Sequence, residues 1–140
     1  MFDGEALSEK HFDIIGYLPE ERGLYKRSRT IDILTYFASL KNITQKEFKT
    51  SLEYWESKFG ISELLNKKAF ELSKGNQQKI QIIGALIHNP DYIFLDEPLS
   101  GLDPIMQNSF NTILDELKSA GKTIIISTHL LDFAEYICDE

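Results

Sequence analysis

Tyr92-Ile93-Phe94-Leu95-Asp96-Glu97-Pro98 is the stretch from which the fold is read. Four consecutive apolar, β-prone residues predict a short strand buried on both faces of a parallel sheet. The strand then ends in two acids. Adjacent carboxylates at a sheet edge repel each other and resist desolvation, so the pair is costly unless a cation or a proton-transfer role compensates. A phosphoryl-transfer site needs such a pair, one carboxylate for a divalent cation and one to orient or deprotonate water. The bland alternative is that both acids merely solvate a strand end.

Toward the C-terminus, Asp103-Pro104 predicts a helix start, with Asp at the N-cap and Pro at the first helical position. Its apolar stripe is Met106, Phe110, Ile113, Leu114 and Leu117, and Gly121 ends it. Thr123-Ile124-Ile125-Ile126 is a second strand, and Leu130 to Ile137 a last amphipathic helix. Toward the N-terminus, residues 74–88 read as a helix carrying Ile80, Ile82, Ile83, Leu86 and Ile87, stopped by Asn89-Pro90-Asp91. Ile14-Ile15-Gly16-Tyr17-Leu18 is a further strand, stopped by Pro19.

Between these lies a helical region. Ile31, Ile33, Leu34, Phe37, Ala38 and Leu40 share a face and predict a helix from Thr30 to Leu40. Thr44-Gln45-Lys46-Glu47 is a capping box, Phe48, Leu52, Trp55 and Phe59 follow at helical spacing, and Gly60 sits where a C-terminal cap belongs. Residues 30–68 are therefore mainly helical.

The β–α–β–α order predicts an α/β fold with a parallel sheet and right-handed crossovers. Ligands of such sheets bind beyond the carboxyl ends of the strands. Three polar clusters fall there: Pro19-Glu20, Asp96-Glu97 and Ser127-Thr128-His129.

The chain of 140 residues has a formal charge of −7, and the deficit is confined to one half. Residues 1–70 hold 11 basic and 11 acidic groups, whereas residues 71–140 hold 4 and 11. Acidity on this scale argues against a nucleic-acid partner. Lone Cys138 excludes an internal disulfide and a cysteine-based zinc cage. No apolar run approaches the ~20 residues that span a bilayer. With no basic, apolar leader, a cytoplasmic location is expected.

Leu72-Ser73-Lys74-Gly75-Asn76-Gln77 opens the 74–88 helix. Ser73 there is a sound N-cap and no more; alternatively, the exposed N–H groups, the helix dipole, the hydroxyl and the close approach allowed by Gly75 bind phosphate. Ser100-Gly101-Leu102-Asp103 reads equally as a turn and cap, and Ser127-Thr128-His129 as a strand end. His11 and His88 have no site around them in sequence, and Cys138 reads as a packed or idle thiol.

The joint pattern resembles the nucleotide-binding domain of ABC (ATP-binding cassette) ATPases. Leu72-Ser73-Lys74-Gly75-Asn76 is similar to that family's signature motif, and Tyr92-Ile93-Phe94-Leu95-Asp96 to its Walker B strand, followed by the catalytic Glu97. Ser100-Gly101-Leu102-Asp103 resembles the D-loop, His129 the switch histidine, and Ile15 to Glu20 the strand leading into the Q-loop. The resemblance implies the C-terminal part of a P-loop NTPase domain: core strand and Q-loop in 1–29, a helical subdomain in 30–70, and a catalytic core segment in 71–140. It implies ATP and Mg²⁺ as ligands, with Asp96 and Glu20 toward the metal, Glu97 polarising the attacking water and His129 on the γ-phosphate. Ser73, Gly75 and Asn76 then face the ATP of a second nucleotide-binding domain, identical or not, and Asp103 lies at that interface. A separate transmembrane permease would hold the domain on the inner face of the membrane. The loop from Pro19 to Tyr25 most resembles bacterial exporter-type members of the ABC-2 group.

Three departures stand out. Lys74 and Asn76 replace a glycine and a glutamine of the usual signature, and Glu20 stands where the Q-loop has glutamine. No G-x-x-x-x-G-K-[ST] loop occurs in these residues, while Phe2-Asp3-Gly4 resembles a segment that follows the Walker A helix. The expectation is thus an internal fragment or truncated product of an ABC ATPase, inactive alone. Two other classes share the pattern: a soluble ABC-family ATPase not tied to transport, and a non-catalytic interaction fragment.

Overall fold

The computed structural model describes residues 8–21 and 23–138; Phe2-Asp3-Gly4 and Arg22 lie outside them. The order is α1 (Glu9–Phe12), β1 (Ile15–Leu18), α2 (Thr30–Ser39), α3 (Gln45–Phe59), α4 (Lys74–Leu86), β2 (Tyr92–Asp96), α5 (Pro104–Ser119), β3 (Thr123–Ser127) and α6 (Leu131–Ile137), with single 3₁₀ turns at Ser62–Leu64 and Ala69–Glu71. The three strands are parallel in the order β1-β2-β3.

The caps form where the sequence places them. Thr44 Oγ1 accepts from Glu47 N–H at 3.3 Å, and Glu47 Oε2 accepts from Thr44 N–H at 2.6 Å. Gly60 ends α3 at φ 61°, a left-handed conformation that a glycine adopts without a Cβ clash. Ser73 and Asp103 cap α4 and α5 by accepting from Asn76 and Met106 N–H.

The helical region leaves and rejoins the core through a paired neck. Thr30 N–H and Oγ1 both donate to Lys67 O, Ile31 N–H to Leu65 O, and Ala69 N–H to Ser28 O, beside an antiparallel bridge between Arg29 and Lys68. α2 then lies on α4, where a Cβ on Gly84 would sit 2.5 Å from Phe37 Cδ2. α4 lies on β1, where a Cβ on Gly16 would sit 2.4 Å from Ala85 O. Across the molecule, Glu116 of α5 accepts from Tyr54 Oη at 2.9 Å and from Lys58 Nζ at 2.5 Å, tying α3 to α5. Burial, helped by Glu116, pushes the Tyr54 hydroxyl up to about 12.

The sheet corrects one expectation. Leu18, Ile93 and Leu95 on one face are fully enclosed, but the opposite face is only partly covered. The register sets Tyr17, Phe94 and Ile125 in a row across that face. Tyr17 is 60% and Ile125 53% exposed, and Phe94 is half-buried. The run Tyr92–Leu95 is continuous and apolar, yet one side of it has no covering layer among the described residues.

Candidate functional site

The register brings Leu18, Leu95 and Ile126 level, so the three strands end together. Asp96 and Ser127 are paired across β2 and β3, and Ser127 Oγ donates to Asp96 Oδ1. One residue further, Glu97 N–H donates to Ser127 O at 3.0 Å. His129 Nε2 stands 3.6 Å from Glu97 Oε1; the histidine is 95% exposed, whereas the Glu97 side chain is only 17% exposed. Asp96 and Glu97 at the end of β2 and His129 beyond β3, read from two separate stretches, thus lie together at the carboxyl edge. Glu20 leaves β1 on the same edge and is exposed.

Glu97 has φ 46°, in the left-handed region. A non-glycine residue there is held at a cost of ~1–3 kcal/mol, and such strain is concentrated at functional sites. The turn behind it is built from successive short hydrogen-bonded loops, Ser100 N–H to Glu97 O and Leu102 N–H to Leu99 O, before Asp103 starts α5.

The start of α4 lies against this turn. A Cβ on Gly75 would come within 3.0 Å of Gly101 O, so the two motifs meet backbone to backbone. Ser73 and Lys74 are exposed, and Ser73 Oγ is engaged in the cap with Asn76 N–H at 3.2 Å. Two glutamines that the sequence reading passed over are buried on α4. Gln78 Nε2 donates to Pro98 O at 3.0 Å, and Gln81 Nε2 to Glu21 O at 3.2 Å, while Gln81 Oε1 has no partner. The available signal is the dense apolar stretch from Ile80 to Ile87, which implies a helix buried on more than one side, where a polar side chain needs a buried partner. Ser127 was likewise noted only as part of a polar strand end.

The other histidines stay apart from the cluster. His11 is buried beside Ser8. His88 Nε2 lies 3.0 Å from Ile15 O, at the opposite end of β1, with Nδ1 buried and unpartnered. Cys138 is free and exposed.

No group of three or more His, Cys, Asp or Glu capable of holding a metal is present among the described residues. What the edge offers is one carboxylate, Asp96, oriented by a serine hydroxyl, with Glu20 on the next loop. That donor set fits Mg²⁺, which takes one or two protein carboxylates and completes its shell with waters and substrate phosphates.

A parallel sheet with strand-end acids, a capped helix start and a helical excursion has the α/β architecture of the P-loop NTPases. The chain belongs to the ABC transporter family, whose family model matches residues 2–100. An ABC transporter ATP-binding protein of Methanocaldococcus jannaschii is 50% identical over 125 residues, covering 89% of this chain and 48% of that protein. The ABC transporter ATP-binding protein NatA of Bacillus subtilis is 38% identical over 119 residues, 85% of this chain and 48% of that protein. The solved structure of an ATP-binding subunit of an ABC transporter superposes with a TM-score of 0.87 at 30% identity, covering 94% of this chain and 55% of that one. The chain spans about half the length of the relatives it matches. No described helix is long and apolar enough to cross a membrane.

Proposed function

We propose that this chain supplies the signature, metal-side and switch elements of an ATP-hydrolysing subunit that powers ABC-type transport. Asp96 and Glu20 are the carboxylates that would hold Mg²⁺, which when bound offsets phosphate charge. Glu97 orients and polarises the attacking water, and His129 beside it contacts the γ-phosphate. Ser73, Gly75 and Asn76 present the α4 N-terminus to the ATP of a second such domain, and Asp103 lies at that interface. Glu97 backing onto His129 at 3.6 Å, level with Asp96, is the observation that carries this reading.

A separate transmembrane permease is the proposed partner, which would place the subunit on the inner face of the membrane. A groove of about 270 Å³ between the loop after β1, α2 and α4 supports that docking. Pro19, Phe37 and Leu40 line it, and exposed Tyr25 packs edge-on against Tyr36 nearby.

A triphosphate carries about four negative charges, which phosphate sites offset with a lysine, Mg²⁺ and a ring of N–H groups. The elements in this chain bring Asp96, Glu97 and Glu20 to that place and no P-loop lysine, so we expect the 140 residues alone neither to bind ATP tightly nor to hydrolyse it. Calorimetric titration with ATP·Mg²⁺ and a phosphate-release assay test this. Joined to a P-loop-bearing segment of a relative, the chain should hydrolyse ATP, and Glu97→Gln should retain binding while nearly abolishing turnover. Hydrolysis at the normal rate in Glu97→Gln overturns the assignment of Glu97. Micromolar one-to-one binding with turnover by the 140 residues alone overturns the need for a P-loop from elsewhere.

A further inference from the structure

We propose that Gln78 is the positioning residue of Glu97, holding the catalytic turn from the signature helix; the catalytic part of this rests on the reading of Glu97 given above. The argument begins with the strain at Glu97. A glutamate at φ 46° persists only where its surroundings over-determine the backbone. Three hydrogen bonds do so. Glu97 N–H is fixed to Ser127 O at 3.0 Å, and Glu97 O accepts from Ser100 N–H at 3.0 Å. The third falls on the next carbonyl, Pro98 O, which accepts from Gln78 Nε2 at 3.0 Å.

The third bond differs from the other two. The first belongs to the sheet ladder and the second to the turn itself, so both are local to the strand end. Gln78 reaches in from α4, 20 residues earlier in the chain. Pro98 has a ring-fixed φ and no N–H, so its carbonyl is its only backbone handle. The Gln78 side chain is 2% exposed, so no bulk water stands by to replace its amide. An unpaired Pro98 O in that place carries a desolvation penalty that the turn avoids only by moving.

The same helix touches the same turn a second time. Gly75, one turn before Gln78, lies against Gly101 O, three residues after Pro98, so closely that a Cβ would come within 3.0 Å of that oxygen. Positions 75 and 78 on one face of α4 therefore meet 101 and 98 on the turn. Gln81, a further turn along, donates instead to Glu21 O in the loop after β1. It supplies a control of the same chemistry on the same helix that does not touch the Glu97 turn.

The test uses Gln78→Met, which keeps the length and removes the donor, beside Gln81→Met in the same 140-residue chain. The Cα and Cβ chemical shifts of Glu97 report its left-handed backbone. In Gln78→Met they should move away from left-handed values or broaden through exchange, with β2 resonances from Tyr92 to Leu95 unchanged. In Gln81→Met they should match the parent. A left-handed signature that survives Gln78→Met, or that is lost in both variants, overturns the proposal. Where Gln78→Met does not fold, Gln78→Asn, whose amide is one carbon too short to reach Pro98 O, gives the same reading. In the P-loop-joined protein, Gln78→Met should lower kcat about tenfold or more, while ATP affinity changes less than about twofold. A displaced Glu97 backbone with unchanged kcat overturns the catalytic role of Glu97, whereas an undisplaced backbone overturns the hold by Gln78.

Discussion

Glu97 carries a backbone cost that its proposed part in turnover would account for. Its left-handed backbone is disfavoured for an L side chain. Glu97→Gly removes that cost, less the added chain entropy of glycine, and should raise stability by about 1 kcal/mol. A urea midpoint that is unchanged or lower would refute stored strain at this position. His88 behaves differently. Burial, with nearby Lys41 and Lys122 lowering it and Asp13 and the bond to Ile15 O opposing, pulls its pKa from 6.5 down to about 4. The unfolded chain therefore binds a proton near pH 6.5 that the folded chain takes up only near pH 4. The stability associated with a neutral His88 is complete above pH 6.5 and is lost as the pH falls through that window. His88→Asn, which keeps a donor for Ile15 O, should flatten the slope of unfolding free energy between pH 6.5 and 4, and an identical slope would show that other groups set it.

The elements divide sharply in how far the sequence announces them. Thr44 with Glu47, Gly60, Ser73 and Asp103-Pro104 act within one turn of themselves, so their residue types suffice to place α3, α4 and α5. The acid pair and the histidine were legible for the same reason: each closes a strand, and a common register brings strand ends together. What was not legible depends on partners distant in sequence. Nothing near Gln78, Gln81 or Lys41 in sequence points to their partners: the glutamines donate to Pro98 O and Glu21 O, and Lys41 donates to Ile15 O at 2.8 Å and also to Phe12 O. The packing of β1 and α2 on α4 belongs to this class. It depends on two missing side chains, and their neighbours differ in compliance. Gly16→Ala drives a methyl into the Ala85 carbonyl and the Pro90 ring, neither of which swings away, and should cost about 2–3 kcal/mol. Gly84→Ala meets the half-buried Phe37 ring, which turns toward solvent, and should cost about 1 kcal/mol. Urea denaturation of the two variants measures the order, and equal losses would contradict the rigid contact at Gly16.

For the whole molecule, the decisive feature is a sheet enclosed on one side only. Enclosing a central parallel strand takes a layer on each face, yet among the described residues Tyr17, Phe94 and Ile125 form a row that is only partly covered, and the outer edge of β3 has no partner strand. Among the described residues no second layer closes this face. Without such a layer, apolar surface and open edge favour pairing between copies, so the 140-residue chain should self-associate at micromolar concentration. Tyr17→Lys together with Ile125→Lys should return it to a monomer in sedimentation velocity, with little change in melting temperature because both side chains are already more than half exposed. Charge makes the comparison discriminating. The two lysines bring the formal charge from −7 toward zero, which by itself promotes association, so dissociation must come from the loss of the apolar row. A parent chain that is monomeric at these concentrations, or a double variant that associates as strongly, would show that this face is not the adhesive one.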